Sequence, residues 1–531
     1  MTSNEWLTSI ANAIRQVKGS TLKIKASDFS NEISNLGTAV QLFTPSIAID
    51  GNTMTITDKN GGFVDEYDIY VNELYCTTST EKTGNLKDVY GVTTSGYITV
   101  KAKAQRFIDS EFSSPVNFNL LAVSLSSDGT YYSVTGIGNE TGTVIIIPEQ
   151  VDEIPVTTIG TEAFYKQKQI TRVIIPDSVT TILDRAFHTS TYIVSTSTNS
   201  VLEYVLLGNS VSYIGVSAFA MNAKLKEITF PNSLKSIGRL AFSYCGLENL
   251  YIPASVTSID SEAFISNKNL TNIEVDTLNS KYKSIDGVVY TKNGKRLLIY
   301  PSGKNENNGK LIIPETVEEI YFYSVAYNNN IKNVIIHDNV TNIYDSAFVG
   351  CKNLKNITIG SGVTKISKGA FYNCYYVDKI YYNGTVEQWL NVVIENYTSL
   401  PQRNWQSTGY GGELNYYFNN ELVENLIIPS SITKINDYQF MGALSIKSVE
   451  FPDSLTSIGT RAFCNCLNLK TISIGSGLKT INGYAFYNCT SITEIYYNGT
   501  IEMWNLITKG SGWILSNINY TVHCTDGDIT V

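Results

Sequence analysis

Apolar and polar residues follow one another at three different spacings along the chain. Residues 1 to about 42 carry apolar side chains at the spacing of two short helices. From about residue 43 to about residue 120, apolar and polar positions alternate in short segments, the pattern of half-buried β-strands. Beyond residue 120, similar segments recur at a fixed distance. The pattern predicts a mainly β protein, with a short helical segment and a small β-sandwich before a repetitive array over residues 121–531.

The repeated feature is an Ala-Phe pair that returns, in most copies, after 23 residues. In the copy Leu225–Cys245 a first strand, a turn and a second short strand lead into the loop that holds the pair. A period of this size is typical of a solenoid, whose units are too small to bury their apolar faces alone. We expect the rings to stack in one buried column, formed by Phe164, Phe187, Phe219, Phe242, Phe264, Phe348, Phe371, Phe463 and Phe486, with degenerate copies at Ser324-Val325 and Gln439-Phe440.

Two stretches of the array carry a family resemblance. Residues 451–469 (FPDSLTSIGTRAFCNCLNL) resemble the BspA-type leucine-rich repeat, also called the Treponema type. Residues 284–301 (SIDGVVYTKNGKRLLIYP) are similar to the hairpin insertion of that family, which here spans about 279–303, with Asn293-Gly294 as its turn. The resemblance implies a right-handed solenoid that serves adhesion and surface recognition.

A second motif occurs twice, 115 residues apart, at Ile380–Trp389 (IYYNGTVEQW) and Ile495–Trp504 (IYYNGTIEMW). Each copy follows a regular run of repeats and brings in a bulky Trp. We interpret both as cap-like insertions that cover the end of the repeat core, over about 380–412 and 495–531. A sugar site at Trp389 or Trp504 is the alternative.

The alternating region, residues 43–120, predicts strands separated by Gly- and Asn-rich turns. Its segments at 67–72 and 96–104 resemble a fibronectin type III or related immunoglobulin-like module, which implies a spacer or binding role. The predicted strands are Ser46–Ile49, Thr53–Thr57, Tyr67–Val71, Glu73–Cys76, Tyr97–Lys103 and Val116–Leu120.

The N-terminal segment, residues 1–42, is too short to bury a core of its own. Its apolar stripe therefore predicts attachment to another chain or oligomerisation, through Trp6, Ile10, Ile14 and Val17. A frayed leader is the alternative. Residues 7–29 resemble leaders on tail proteins of phages of Firmicutes, and the N-terminus has no pattern of a secretory signal.

Composition narrows the classes of partner. A net charge of −9, spread along the chain, argues against nucleic acid. No apolar run approaches the length of a membrane-spanning helix, so we expect no membrane insertion. The 35 Tyr residues suit contacts with protein or sugar, or else half-buried strand positions.

Cysteines and histidines give no sign of metal or catalytic chemistry. Five of the eight cysteines stand three residues after the ring of a repeat, which indicates one buried apolar slot rather than disulfides or metal ligands. His188, His337 and His523 are isolated in sequence, and no nucleophile or phosphate-binding motif is present. We expect no enzyme, no cofactor and no metal site. The five cysteines are Cys245, Cys351, Cys374, Cys466 and Cys489.

Alternation along each first strand predicts which side chains face outward. We take these positions as the candidate binding surface. The recurring Asn residues also allow a structural role, in which stacked side chains stabilise the array. The positions are Tyr204, Glu227, Asn249, Tyr251, Asn272, Glu274, Asn333, Asn356, Lys379, Tyr381, Asn425, Glu450, Glu494 and Tyr496.

Together these features predict a non-enzymatic host-recognition protein, a phage tail fibre or baseplate receptor-binding protein. Its helices would contact virion tail or baseplate proteins, with homo-oligomer formation a further expectation. Its array would bind a protein or glycan on the bacterial surface, so that the protein is part of the virion and acts outside the cell. The alternative is a BspA-type adhesin on the bacterial cell surface, and an enzyme with a binding solenoid is a third class.

Overall fold

The computed structural model describes residues 42, 44–50, 53–59, 64–71, 74–86, 96–103, 109–113, 116–118, 121–139, 141–189, 200–305, 308–401 and 414–531. The chain divides into two compact units: residues 1–187 with 199–211, and residues 188–198 with 212–531. The predicted N-terminal helices, with Trp6, Ile10, Ile14 and Val17, lie outside the described residues. Within the described part, no helix has the length and apolar character that crossing a membrane requires.

A small antiparallel sandwich occupies the first part of unit 1. Its sheets have the strand orders β1-β2-β5 and β4-β3-β6-β7. Side chains such as Met54, Ile69 and Val100 form its buried core. All six predicted strands are present, and only β5 was missed, because Thr-Gly-Asn has no apolar alternation. The strands are β1 (Ser46–Asp50), β2 (Thr53–Thr57), β3 (Glu66–Val71), β4 (Leu74–Ser79), β5 (Thr83–Asn85), β6 (Gly96–Lys103) and β7 (Val116–Phe118).

The remainder of unit 1 consists of repeat turns. First strands β10, β13 and β15 pair in parallel, and second strands β9, β12 and β14 do the same. The rings of Phe164 and Phe187 stack with centroids 4.9 Å apart. The strands are β8 (Ala122–Leu125), β9 (Tyr132–Gly136), β10 (Val144–Ile146), β11 (Gln150–Val151), β12 (Ile154–Ile159), β13 (Arg172–Ile174), β14 (Thr181–Ile182) and β15 (Tyr204–Leu206).

Unit 2 begins with repeat turns of the same kind, followed by the hairpin insertion and further repeats. Its first elements are β16 (Tyr213–Ile214), β17 (Ser236–Ile237), β18 (Asn249–Ile252), β19 (Ser258–Ile259), β20 (Asn272–Val275), β21 (Tyr282–Ile285), β22 (Val288–Thr291), β23 (Arg296–Ile299), β24 (Lys310–Ile312), β25 (Glu319–Ile320), β26 (Asn333–Ile335), β27 (Asn342–Ile343), β28 (Asn356–Ile359), β29 (Lys365–Ile366), β30 (Lys379–Tyr382), helix α1 (Val386–Leu390) and β31 (Val393–Ile394).

A second run of repeats follows in unit 2 and ends, like the first, in a short helix and a hairpin. Its elements are β32 (Asn415–Phe418), β33 (Glu421–Leu422), β34 (Asn425–Ile427), β35 (Lys434–Ile435), β36 (Ser448–Phe451), β37 (Ser457–Ile458), β38 (Thr471–Ile474), β39 (Thr480–Ile481), β40 (Glu494–Tyr497), helix α2 (Ile501–Leu506), β41 (Thr508–Lys509), β42 (Thr521–Cys524) and β43 (Gly527–Thr530).

The first strands of unit 2 form parallel ladders. Their orders are β18-β20, β24-β26-β28-β30-β32 and β34-β36-β38-β40-β42, and β33 and β43 close the last two as antiparallel edges. Second strands form separate sheets, among them β25-β27-β29-β31 and β35-β37-β39-β41. Most repeats therefore contribute one short strand to each of two kinds of sheet, with the ring column in the core.

The ring column is confirmed within each unit. In unit 2, ring centroids of successive repeats lie 5.2 Å apart for Phe219–Phe242, 5.0 Å for Phe348–Phe371 and 5.3 Å for Phe463–Phe486, with nearly parallel planes. All nine predicted rings are buried. The N–H of Phe348 donates to the Ala370 carbonyl of the next repeat at 2.8 Å, and the same bond recurs along the column. Ring stacking and backbone bonding thus hold neighbouring repeats at one spacing.

The five repeat cysteines lie in the predicted buried slot, and all eight cysteines, which are among the described residues, are in the thiol form without disulfides. These side chains fill the slot and also form hydrogen bonds. Each repeat thiol donates to the carbonyl at the ring position one repeat earlier, as Cys374 does to Phe348 at 3.1 Å, Cys489 to Phe463 at 3.0 Å and Cys351 to Val325 at 3.2 Å. Burial raises the pKa of Cys245 to about 12, so the thiolate form is suppressed.

The predicted hairpin insertion is present as β21, β22 and β23. Gly294 in its turn has φ +79°, a conformation that favours glycine. Gly287 joins the first two strands with φ +74°, and a Cβ there would meet the Oδ1 atom of Asn272 at 2.3 Å. The third strand, β23, then pairs in parallel with β25 and rejoins the array.

Both Trp motifs form the same cap-like unit: a first strand, a short helix, a second strand and, further on, an antiparallel hairpin. Helix α1 begins with a capping box between Thr385 and Gln388. Trp389 and Trp504 are 0% and 5% exposed, so the alternative of a sugar site at either Trp is wrong. The indole N–H of Trp389 donates to the Gln439 carbonyl at 3.1 Å, which ties the first cap to the following repeats.

Candidate binding surface on the first strands

Parallel pairing places the predicted surface residues in rows across the ladders. Asn249 lies beside Asn272, and Tyr251 lies beside Glu274. On the next ladder Asn333, Asn356 and Lys379 form one row. The 23-residue period therefore brings equivalent positions into register, as the alternation predicted.

The side chains of these rows differ in exposure. Exposed positions are Glu227, Asn249, Tyr251, Asn272, Glu274, Asn425, Glu450 and Tyr496; half-buried positions are Tyr204, Asn333, Asn356, Lys379, Tyr381 and Glu494. Glu227 lies between β16 and β17 and outside any strand, so the first strand predicted there does not form. Tyr204 belongs to unit 1, where the guanidinium of Arg172 lies 4.9 Å from its ring centroid.

Some Asn residues serve the ladder itself. The Nδ2 atom of Asn356 donates to Oδ1 of Asn333 at 2.6 Å, and the Ser448 hydroxyl donates to Oδ1 of Asn425 at 2.7 Å. These bonds between repeats support the structural alternative for Asn333, Asn356 and Asn425. The exposed aromatic and acidic positions are therefore the better candidates for binding.

A shallow groove of about 460 Å³ lies at the end of the last ladder, and we call it the terminal groove. Side chains from β36, β38, β40 and β42 line it in one row, together with the turns that follow these strands. Two predicted surface residues are brought together there. The row consists of Glu450, Ser473, Tyr496 and His523, and Asp453 and Asn498 stand on the turns.

His523 fixes the far side of the terminal groove. Its ring stacks on Tyr496 with centroids 4.8 Å apart and an interplanar angle of 21°. Its Nε2 atom lies 2.7 Å from the Glu494 carboxylate, and its Nδ1 atom lies 2.9 Å from that of Asp528. Hydrogen bonding to Glu494, with that to Asp528, raises the pKa of His523. The groove thus presents an aromatic pair held by two carboxylates.

Asp453 provides a fixed negative charge on the adjacent turn. It accepts hydrogen bonds from the N–H of Ser476 at 2.7 Å, from the Ser476 hydroxyl at 3.0 Å and from Asn498 at 3.3 Å. The bond from the Ser476 backbone is the main cause that lowers the pKa of Asp453. An ionised acceptor beside an exposed aromatic ring suits ligands rich in N–H or O–H donors.

Sequence reasoning missed His523, because Asp528 lies across the closing hairpin and Glu494 lies on the parallel neighbour β40, 29 residues away rather than one 23-residue period. It found Tyr496 and Glu450 because both are repeat positions. A similar aromatic pair ends the preceding ladder, where the rings of Tyr381 and Tyr417 stack at 4.6 Å. Among the residues that the structure describes, no group of three His, Cys, Asp or Glu side chains could hold a metal ion.

A sequence model described as the BspA type leucine rich repeat region matches residues 143–204, 196–295, 303–407 and 414–519, which are the repeat turns above. The chain belongs to this family. The BspA-type assignment confirms the predicted array, whereas the fibronectin type III module and the phage relationship stay predictions. No curated protein sequence matches the chain significantly.

Several solved structures of bacterial leucine-rich repeat proteins are similar. A protein from Eubacterium ventriosum is 22% identical, with a TM-score of 0.46, and the match covers 75% of this chain and 92% of that one. A protein from Bacteroides ovatus is 23% identical, with a TM-score of 0.47 and coverages of 74% and 90%. A leucine rich cell surface protein from Faecalibacterium prausnitzii is 22% identical, with a TM-score of 0.36 and coverages of 74% and 97%.

Proposed function

We propose that this BspA-type chain is a non-enzymatic recognition protein that binds a glycan or protein on a bacterial surface through its first-strand ladders. The terminal groove carries the proposal. There an exposed Tyr ring, 46% accessible, stands beside the carboxylates of Glu450 and Asp453. The ring offers contact area at low entropic cost, and the acids accept hydrogen bonds.

The shape of the surface favours many weak contacts over one deep site. The terminal groove is open, and similar ring pairs occur at the ends of two ladders, at Tyr381 with Tyr417 and at Tyr496 with His523. Ligands that repeat along a cell wall or a protein surface would engage several such positions. Affinity would then come from multivalent presentation, which raises avidity without new contacts.

Two biological settings suit this recognition. We propose a phage tail appendage, in which the N-terminal segment contacts the tail or baseplate and the array meets the host; the resemblance of residues 7–29 to phage tail leaders supports it. The alternative is an adhesin on a bacterial cell surface, which the BspA family assignment supports.

The surface assignment is tested by binding of the full chain, displayed on fluorescent beads, to bacterial cells and purified wall polymers. Replacing Tyr496→Ala together with Glu450→Gln should lower bound beads at least tenfold. Tyr487→Ala serves as the matched control, because this Tyr is 39% exposed and lies on a loop outside the ladders. Equal binding by the double variant and the control would place recognition elsewhere.

A further inference from the structure

In the repeat that contains the hairpin insertion, which we call the hairpin repeat, the loop after the second strand is shorter than in the neighbouring repeats. Leu297 of β23 is in register with Ile320 of β25. The N–H of Tyr300 donates to the Ser324 carbonyl at 2.7 Å, as the N–H of Val325 does to the Ala347 carbonyl at 2.8 Å. Tyr300 therefore takes the ring position three residues after Leu297, whereas Val325 takes it five residues after Ile320. Two loop residues are missing from the hairpin repeat.

A cavity of about 460 Å³ lies where that loop is short, and we call it the notch. Residues of the loop after β19 line one side, and residues of the loop after β25 line the other. An apolar cluster of Ile265, Ala326 and Val349, with Tyr323 packed against it, joins the two loops. The notch belongs to the sheets of second strands, so it is distinct from the terminal groove.

One wall of the notch consists of aromatic rings that neighbouring side chains hold in place. The ring of Phe322 lies 4.8 Å from that of Tyr321 and 5.0 Å from that of Tyr344, centroid to centroid. The guanidinium of Arg296 lies 5.6 Å from the Tyr321 ring, and Glu319 pairs with Arg296. Rings held from several sides lose little freedom when a ligand stacks on them.

The opposite wall carries planar hydrogen-bonding groups. The Nε and Nη2 atoms of Arg239 donate to the two carboxylate oxygens of Glu262 at 2.8 and 3.2 Å. The Glu262 side chain is only 13% exposed, and Asp260 accepts its backbone N–H at 2.9 Å. The pair is thus fixed, and both residues line the notch, where their remaining lone pairs and N–H groups can bond a ligand.

We propose that the notch binds a neutral saccharide. The C–H face of a pyranose ring would stack on the Tyr321–Phe322 wall, since aromatic rings bury apolar faces well. Adjacent hydroxyls would bond the Glu262–Arg239 pair and Asp260, which offer both acceptors and donors. A neutral ligand fits because Asp260 and Glu262 would repel an anionic sugar, while Arg239 is already neutralised. The volume suits a small ligand of a few rings.

This site goes beyond the recognition surface proposed above, because it uses different residues on a different sheet. The test is saturation-transfer NMR on the full chain with a panel of neutral sugars: maltotriose, cellotriose, lactose and N,N′-diacetylchitobiose. At least one sugar should receive saturation, and its affinity should fall at least tenfold in Phe322→Ala and in Glu262→Gln. The second variant keeps the size of the side chain and so guards against misfolding.

Two matched controls come from positions outside the notch. Tyr372→Ala removes another exposed loop aromatic, and Arg185→Ala breaks another Arg–Glu pair between repeats, that of Arg185 with Glu162 at 2.8 Å. Both should bind the sugar as the parent does. The proposal is overturned if no sugar of the panel binds, or if a peptide binds in the notch and the sugars do not. It is also overturned if Phe322→Ala and Glu262→Gln bind the sugar like the controls.

Discussion

At the residue scale, one buried slot explains most of the cysteines. The slot three residues after the ring position holds Cys in five repeats and Asn at Asn222, Asn267 and Asn328, whereas Gln167, Ser190 and Ala443 occupy it in others. Both Cys and Asn can donate from this slot to the carbonyl of a ring residue. Cys466 donates to Phe440 at 3.2 Å, and Asn267 donates to Phe242 at 2.8 Å and to Phe264 at 2.7 Å. A buried carbonyl without a donor costs about 1–3 kcal/mol. Where Cys or Asn fills the slot, the side chain therefore supplies a hydrogen-bond donor as well as packing.

Thiol chemistry follows from this slot. Cys374 should react slowly with Ellman's reagent in the folded protein at pH 8, because burial raises its pKa well above the ordinary value and excludes the reagent. Denaturation should make it react fast. Cys524, which is half-buried, provides an internal comparison and should react with the reagent before Cys374 does. Rapid native labelling of Cys374, measured by mass spectrometry of the peptides, would contradict the buried slot.

His523 gives the C-terminal hairpin a pH dependence. The pKa of His523 is raised in the folded protein by Glu494 first and Asp528 second. A raised pKa means that the added stability is fully present below the unfolded value, about 6.5, and is lost as the pH rises through the folded value. Amide exchange of β43 should therefore be slower, relative to the unfolded chain, at pH 5.5 than at pH 8.5.

The control for this pH effect is His523→Gln, which keeps hydrogen bonding but cannot be charged. Its β43 protection should no longer change across this pH range. Titration of the His523 ring protons by NMR gives the folded pKa directly. A value at or below 6.5 would show that the two carboxylates do not act on the imidazole.

At the element scale, the ring column and its loops set the geometry of each repeat. Residues on both sides of the Ala-Phe pair have positive φ, among them Arg461 at +54° and Asn465 at +66° around Phe463. Such left-handed conformations cost about 1–2 kcal/mol in a non-Gly residue. The buried ring and the backbone bonds between repeats offset that cost, so the loop depends on its ring.

Truncation of one ring should therefore act locally and strongly. Phe371→Ala should destabilise its own and the adjoining repeats by about 3–5 kcal/mol, from lost burial and the cavity left behind. Tyr372→Ala, one residue further and 40% exposed, should cost at most about 0.5 kcal/mol. Native-state hydrogen exchange of β28 and β30 separates the two outcomes, and equal protection in both variants would argue against the column as the main support.

At the scale of the whole molecule, the 23-residue period explains which features of the fold and of the candidate site could be predicted from the sequence. Phe371, Cys374 and Tyr496 stand at positions that recur in each repeat, so one copy of the repeat predicts the role of the equivalent residues in the others. The hairpin turn at Gly294 was predicted from its local Asn-Gly sequence. Features that occur once gave no such signal. The notch arises from a loop shortened in a single repeat, and the His523–Asp528 contact crosses the closing hairpin. The buried indole of Trp389 donates to the carbonyl of Gln439, fifty residues away.

The proposed division of labour can be tested on the full assembly. Residues 1–42 carry an apolar stripe at helical spacing, with Trp6 and Ile10 in it, and are too few to bury it alone. If they attach the protein to a tail or baseplate, deletion of residues 1–40 should abolish incorporation into particles and leave binding of the purified chain to host cells unchanged. Removing residues 212–531 should do the reverse. Particles that incorporate the N-terminal deletion normally would show that attachment does not depend on residues 1–40 and would overturn this division.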